Sequence, residues 1–208
     1  MVRPVDADSV ATFEQIVTAA LEELAECKTP ADLSMRKVAE RAGLSKSAIH
    51  YYFGSRVELL EACLDGYYER LSTMALRNLD LVRGASSGRD VIELCTRAVI
   101  RFVRAEKPLV ALRLSLNAEL GELHPRRQER FLRDQIKQAA DQLAHFVKVP
   151  VDEMRLAIQA VGSIIVRFVM MQPNELELVT GQSGKAAVDA ADDFIVRAAC
   201  RIVLPNGT

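Results

Sequence analysis

The sequence predicts an all-α protein, on three observations. Apolar residues recur at three- and four-residue intervals in successive stretches, no segment shows the sustained Val/Ile/Thr alternation of a strand, and the seven prolines and ten glycines lie mostly between the periodic stretches. Half of the 208 residues are hydrophobic and 26% are charged. That is enough apolar material for one large core or two small ones, and too much for a disordered chain.

The first helix is expected from about Ser9 to Lys28, where Val10, Phe13, Ile16, Val17, Ala20, Leu21 and Leu24 share a face, and Pro30 ends it. Ser34 is placed to cap a short helix to Ala42, closed by Gly43, and Ser45 to cap another reaching Tyr52. Ser55-Arg56-Val57-Glu58 has the form of a capping box that opens a long helix to about Val82. Gly84 to Gly88 is the clearest linker, after which Asp90 is expected to cap a helix to about Ala105 bearing Ile92, Cys95, Val99, Phe102 and Val103. Pro108 starts a helix to about Leu120, Pro125 starts a long amphipathic one to Val147, and Pro150 separates that from a helix spanning about Asp152 to Gln172. A loop from Pro173 to Gly184 then leads into a last helix, Lys185 to Leu204. The expectation is about nine helices with no internal repeat.

Met1 to Asp8 has no apolar signal-like core, and the greasiest stretch, Leu156 to Met171, is interrupted by Gln159 and Arg167, so a soluble cytoplasmic protein without a membrane partner is expected. Cys27, Cys63, Cys95 and Cys200 each fall on an apolar helical face and read as reduced core thiols. His50, His124 and His145 are too scattered for a local metal motif, and neither metal nor cofactor is expected. No glycine-rich phosphate loop, zinc-binding HExxH or nucleophile-elbow GxSxG occurs, which argues against an enzyme. A helical enzyme stays as the alternative.

Charge is uneven. The whole chain carries −1, whereas Leu33 to Arg56 holds five bases (Arg36, Lys37, Arg41, Lys46, Arg56) against Glu40, a local +4 that leaves −5 for the remainder. A small basic region on an acidic body suits contact with DNA phosphates. The two short helices are too short to stand alone and must pack as a unit on the first. Val38, Ala39, Ala42, Leu44, Ile49 and Tyr52 form the inward set, with Ala39 leaving room for a close crossing, Gly43 permitting the sharp turn and Ile49 sealing the pair. This is a helix-turn-helix at about 34–53. Its outward face holds Lys46, Ser47, His50 and Tyr51, groups suited to base edges and phosphates, while Ser45 begins the reading helix and Arg36 and Arg56 flank it. Taken singly, an amphipathic helix pair with a few bases is an ordinary solvated corner, and Tyr52 and Phe53 are core residues.

The run Val38-Ala39-Glu40-Arg41-Ala42-Gly43-Leu44-Ser45-Lys46-Ser47-Ala48-Ile49-His50-Tyr51-Tyr52-Phe53, followed by Ser55-Arg56 and Leu59-Leu60, resembles the signature of the tetracycline-repressor-like (TetR) family. The likeness rests on motif over roughly the first 65 residues and on helix count beyond them. It implies a DNA-binding domain over 8–68, a regulatory ligand-binding and dimerisation domain over 69–208, and Ser34, Arg36, Ser45, Lys46, Ser47, His50, Tyr51 and Arg56 as the DNA-facing set. Ser47 stands where the family most often has glycine, His50 where it has tyrosine and Arg56 where it has lysine, so the operator is not transferable from a relative. The implied function is a repressor that a small-molecule effector releases from a palindromic operator in double-stranded DNA; a nonspecific DNA-binding protein is a further alternative.

The last two long helices carry wide apolar faces. Leu156, Ala157, Ala160, Val161, Ile164, Ile165, Phe168 and Val169 lie on one, and Ala187, Ala190, Ala191, Phe194, Ile195, Ala198, Ala199 and Ile202 on the other. Such faces suit a four-helix homodimer interface, or an ordinary internal core. Arg97, Arg101 and Arg104, and then Arg113 and Asn117, recur at helical spacing and are candidates to line an effector pocket, although such stripes are also the usual form of a solvated face. Arg167, inside an apolar run, is a candidate because a buried guanidinium needs a partner or a ligand. Arg101, Arg113, Asn117 and Arg167 are thus the expected ligand set.

Overall fold

The computed structural model describes residues 7–82, 84–121 and 128–204. In chain order the helices are α1 (Ala7–Glu26), α2 (Met35–Ala42), α3 (Lys46–Tyr52), α4 (Arg56–Val82), α5 (Gly88–Ala105), α6 (Lys107–Leu120), α7 (Ile136–Val147), α8 (Val151–Val169), α9 (Pro173–Thr180) and α10 (Gly184–Val203). A 3-10 turn, Pro30–Asp32, precedes α2, and a π-helical stretch, Gln128–Gln135, leads into α7. Among the described residues there is no strand. The fold is all-α.

These residues form two compact units, 7–69 with 108–121 and 70–107 with 128–204. In the first, α2 packs on both α1 and α3. Ile16, Ala20 and Leu24 of α1, Val38, Ala39 and Ala42 of α2, Ile49 of α3 and Leu59, Leu60 and Leu64 of α4 are buried. The expected inward set of the two short helices is observed, with Leu44 and Tyr52 half-buried at its margin. On α1 the buried face is rotated: Val10 and Phe13 stay 42% and 39% exposed, while Ala19 and Glu23 go inside.

In the second unit α5 packs on α7, α8 and α10, and α8 and α10 pack on each other. Ile92, Ala144, Met154, Ala157, Ala199 and Cys200 share one apolar cluster. Its alanines, Ala140, Ala144, Ala157 and Ala199, supply the short side chains that helices in contact at about 8–10 Å need at a crossing. All four cysteines are free thiols. Burial pushes the Cys63 thiol up to about 12 and Cys95 up to about 11, which keeps both protonated. Cys27 lies just past the end of α1 rather than on its face.

Two expectations are corrected. The segment expected as a loop from Pro173 contains α9, eight residues with proline in the first turn and Gly181 at φ 68° closing it. Leu176 anchors this helix beside Ala187 and Ala191, a single apolar contact that is too short to show a helical period in the sequence. Ser87, not Asp90, caps α5, its Oγ accepting the Asp90 amide at 3.2 Å. The start expected at Pro125 lies outside the described residues, and the described part of that span opens as a π turn.

No single described helix is long and apolar enough to cross a membrane. The pair α8 and α9 would pass by composition, but it is bent by 112° at the break.

Lys148 closes α7 in the left-handed region, at φ 56° and ψ 41°, the conformation glycine adopts without a Cβ penalty. Lys148→Gly is therefore expected to raise stability by about 0.5–1 kcal/mol, read as a higher urea midpoint with an unchanged slope.

Candidate nucleic-acid interface

The helix-turn-helix is assembled by its short connections. Gly43 sits at φ 64°, ψ 28°, and from there its own amide reaches the Glu40 carbonyl while the Leu44 amide reaches the Ala39 carbonyl at 2.9 Å. Nothing lies within 4 Å of where a Cβ would stand, so glycine is required here by backbone conformation and not by crowding. Ser45 Oγ accepts the Ala48 amide at 3.1 Å and begins α3. Phe53 ends it, buried, with its ring 4.9 Å from that of Phe13. Ser55 Oγ accepts the Glu58 amide, as a capping box requires, but the Glu58 carboxylate reaches the amide of Gly54.

The first helix holds the second by charge. Glu23 is only 3% exposed, at the buried i+7 position of the row that starts at Ile16. Its carboxylate meets Lys37 Nζ at 3.2 Å and the Arg41 guanidinium at 3.3 Å, and Arg41 also reaches Glu26 at 2.7 Å and Glu22 at 3.7 Å. Burial alone would push the Glu23 carboxyl up, but the Lys37 ammonium, then the Arg41 guanidinium, outweigh it and hold the group below the ordinary glutamate range. Gln15 Nε2 adds a 2.7 Å hydrogen bond to the Ala42 carbonyl at the end of α2.

With that frame fixed, α3 turns Lys46, Ser47, His50 and Tyr51 to the outside, Tyr51 being 67% exposed. The Ser47 hydroxyl lies 2.9 Å from that of Ser45, and the Tyr51 ring meets Tyr52 edge to face at 5.4 Å. Arg36 is exposed at the start of α2 and paired with Glu40 at 2.6 Å, with Ser34 half-buried before it as the N-terminal cap residue. Arg56, half-buried, makes contacts within the head. Its guanidinium donates to the carbonyls of Leu33, at 3.2 Å, and Pro30, tying the start of α4 to the approach into α2. A planar fork of donors suits two adjacent carbonyls, and the contact is internal to the head.

Residues 16–63 match the family described as bacterial regulatory proteins, tetR family. Over those residues the head of this chain is of the tetR family type. Solved structures share the fold along most of its length. A TetR transcriptional regulator from Rhodococcus sp. RHA1 is 20% identical, with 97% of this chain and 100% of that one covered and a TM-score of 0.56. A TetR transcription regulator from Haloarcula marismortui ATCC 43049 is 16% identical over 93% and 97%, with a TM-score of 0.58. A TetR-family regulator from Mesorhizobium loti MAFF303099 is also 16% identical, over 95% and 98%, at 0.58. No curated protein matches the sequence.

The expected ligand residues are divided between the two units. Arg113 and Asn117 are half-buried on α6, in the first unit, whereas Arg101 is exposed on α5 and Arg167 on α8, in the second. Arg167 is a correction: its side chain is 59% exposed and paired with Glu175 of α9, because the apolar run around it leaves a side of α8 open. Arg97 and Arg104, on the same stripe as Arg101, pair with Asp193 and Asp192 of α10. Among the described residues, no group of three or more His, Cys, Asp or Glu is placed to hold a metal.

Glu22, Glu23 and Glu26 are the functional framework that the sequence reading missed. A signal existed, since Ile16, Ala19, Ala20, Glu23 and Leu24 follow helical spacing and put a carboxylate at a core position, while Lys37 and Arg41 stand one turn apart on α2.

Because the Glu23 carboxyl titrates lower in the folded chain than in the unfolded one, its stabilisation is complete above the ordinary glutamate range and is lost as pH falls through the depressed folded value. Glu23→Gln is expected to cost about 1–3 kcal/mol at neutral pH. It should also flatten the acid limb of stability against pH, compared by urea unfolding at pH 7 and pH 3. Arg56→Ala should lower stability by a similar ~1–3 kcal/mol through its two lost carbonyl partners, seen as a lower thermal midpoint.

Proposed function

We propose that this regulator is a repressor that binds a palindromic operator as a homodimer and is released by a small-molecule effector. The outward row of α3 carries the reading. Lys46, Ser47, His50 and Tyr51 form a solvent-facing strip of one cation and compact hydrogen-bonding groups on a helix whose other side is fixed by Ile49 and Phe53. Such a strip fits base edges in a major groove, with Ser34, Ser45 and Arg36 at its margins. The domain division follows: 8–68 reads DNA and 69–208 regulates. The chain then has no catalytic role and works in the cytoplasm.

Two half-open faces support the dimer. On α10, Ala187, Ala191, Ile195 and Ala199 are buried, while Ala190, Phe194, Ala198 and Ile202, three residues on from each, remain wholly or partly accessible. On α8, Ala157, Ile165 and Val169 are buried and Leu156 is 73% exposed. A second copy of the same helix pair would cover these stripes and set two reading heads about one DNA turn, ~34 Å, apart or a multiple of it. Effector binding in the regulatory domain would act through α4, whose Leu59, Leu60 and Leu64 are buried in the head.

The test is binding to the DNA upstream of the chain's own gene and to random duplex at matched salt, together with sedimentation at the same concentrations. Preference for the upstream DNA of at least about 10³-fold, a two-fold symmetric footprint and a dimer are expected. Equal affinity for both duplexes, or a monomer on the DNA, overturns the reading.

A further inference from the structure

The five bases of 33–56 are not equivalent in the folded head. Lys37 and Arg41 face the carboxylates of α1, Arg41 meeting three of them. Arg56 donates to two backbone carbonyls. Arg36 pairs with Glu40 in an exposed i,i+4 contact, with 71% and 59% of the two side chains accessible, a weak pair that a phosphate can displace. Lys46, on the outward row of α3, is the one base of the five with no carboxylate or carbonyl partner among the described residues.

We propose that the head holds DNA through a nearly uncharged reading face, with Lys46 its one committed phosphate cation, Arg36 a second recruited from Glu40, and Lys37, Arg41 and Arg56 acting as structural cations. Moving Lys37 or Arg41 to a phosphate would leave the interior Glu23 carboxylate with one cation instead of two. That cost exceeds the return from one more phosphate contact. The local +4 read from the sequence therefore overstates the charge DNA meets, and affinity rests on groove contacts from Ser47, His50 and Tyr51. This deepens the proposed function and rests on the same α3 surface.

The consequence is measurable in the salt dependence of binding. Each neutralised phosphate contributes about −0.9 to the slope of log K against log salt, so one or two cations per head give about −1 to −2, whereas all five would give about −4.5. The full-length chain is titrated by fluorescence anisotropy against its upstream DNA and a random duplex over a salt series, with stoichiometry measured so that the slope is expressed per head. The expected result is a per-head slope of about −1 to −2 that loses ~0.9 in Lys46→Ala and is unchanged in Lys37→Ala. Circular dichroism checks that each variant is folded; should Lys37→Ala unfold, the wild-type slope and Lys46→Ala decide alone. A wild-type slope of about −4 or steeper, or a Lys46→Ala slope equal to wild type, overturns the proposal. A shallow slope on both duplexes without preference for upstream DNA supports it while overturning the repressor reading. Absence of any duplex binding at low salt overturns both.

Discussion

The head depends on a carboxylate placed where an apolar side chain is usual. Glu23 lies inside, between Lys37 and Arg41 of α2, and the pair of cations one turn apart fixes how α2 lies on α1. A buried charge tolerates few arrangements, since every departure leaves it unpaired. Apolar contacts between Ile16, Val38 and Ala42 supply burial but would permit small rotations of one helix on another; the ion cluster and the Gln15 bond to the end of α2 do not. Gly43 closes α2 with hydrogen bonds of 3.2 and 2.9 Å in a turn that leads directly into α3, and α3 is too short to choose an orientation of its own. The outward row is thus positioned from beneath, by contacts among α1, α2 and the turn.

The same cluster changes what the charge pattern means. Counted along the sequence, the region is basic; counted in the structure, most of its cations face carboxylates or carbonyls belonging to the head. Acids on α1, twenty residues or fewer away in sequence, neutralise what α2 presents. Arginine at position 56 serves the fold because a guanidinium spans two carbonyls, which an ammonium on a flexible stem does less well.

In the second unit, helix faces are shared between burial and exposure. Each apolar stripe on α8 and α10 has one edge in the core and one edge open, and Arg97 and Arg104 of α5 and Arg167 of α8 point to acids on neighbouring helices. These surface pairs contribute little energy individually, but they mark which side of each helix stays wet. Arg167 shows why burial cannot be inferred from apolar neighbours in sequence: at 3.6 residues per turn, a residue within an apolar run can still face outward.

The sequence by itself determined the all-α class, most helix limits, the helix-turn-helix core of Val38, Ala39, Ala42 and Ile49, the turn at Gly43 and the outward identity of Lys46, Ser47, His50 and Tyr51. These follow from local periodicity, capping chemistry and one backbone conformation, all of which act within a few residues. Only the tertiary structure decided the rest. Whether α1 turns Val10 or Glu23 inward, which bases stay available to a partner, where Arg56 and Arg167 point, and that Leu176 is enough to fold α9 against α10 all depend on contacts between segments distant in the chain. Helical spacing tells which residues share a face; the packing of one helix on another chooses the face that is buried, and a charge gains its role only from what it meets there.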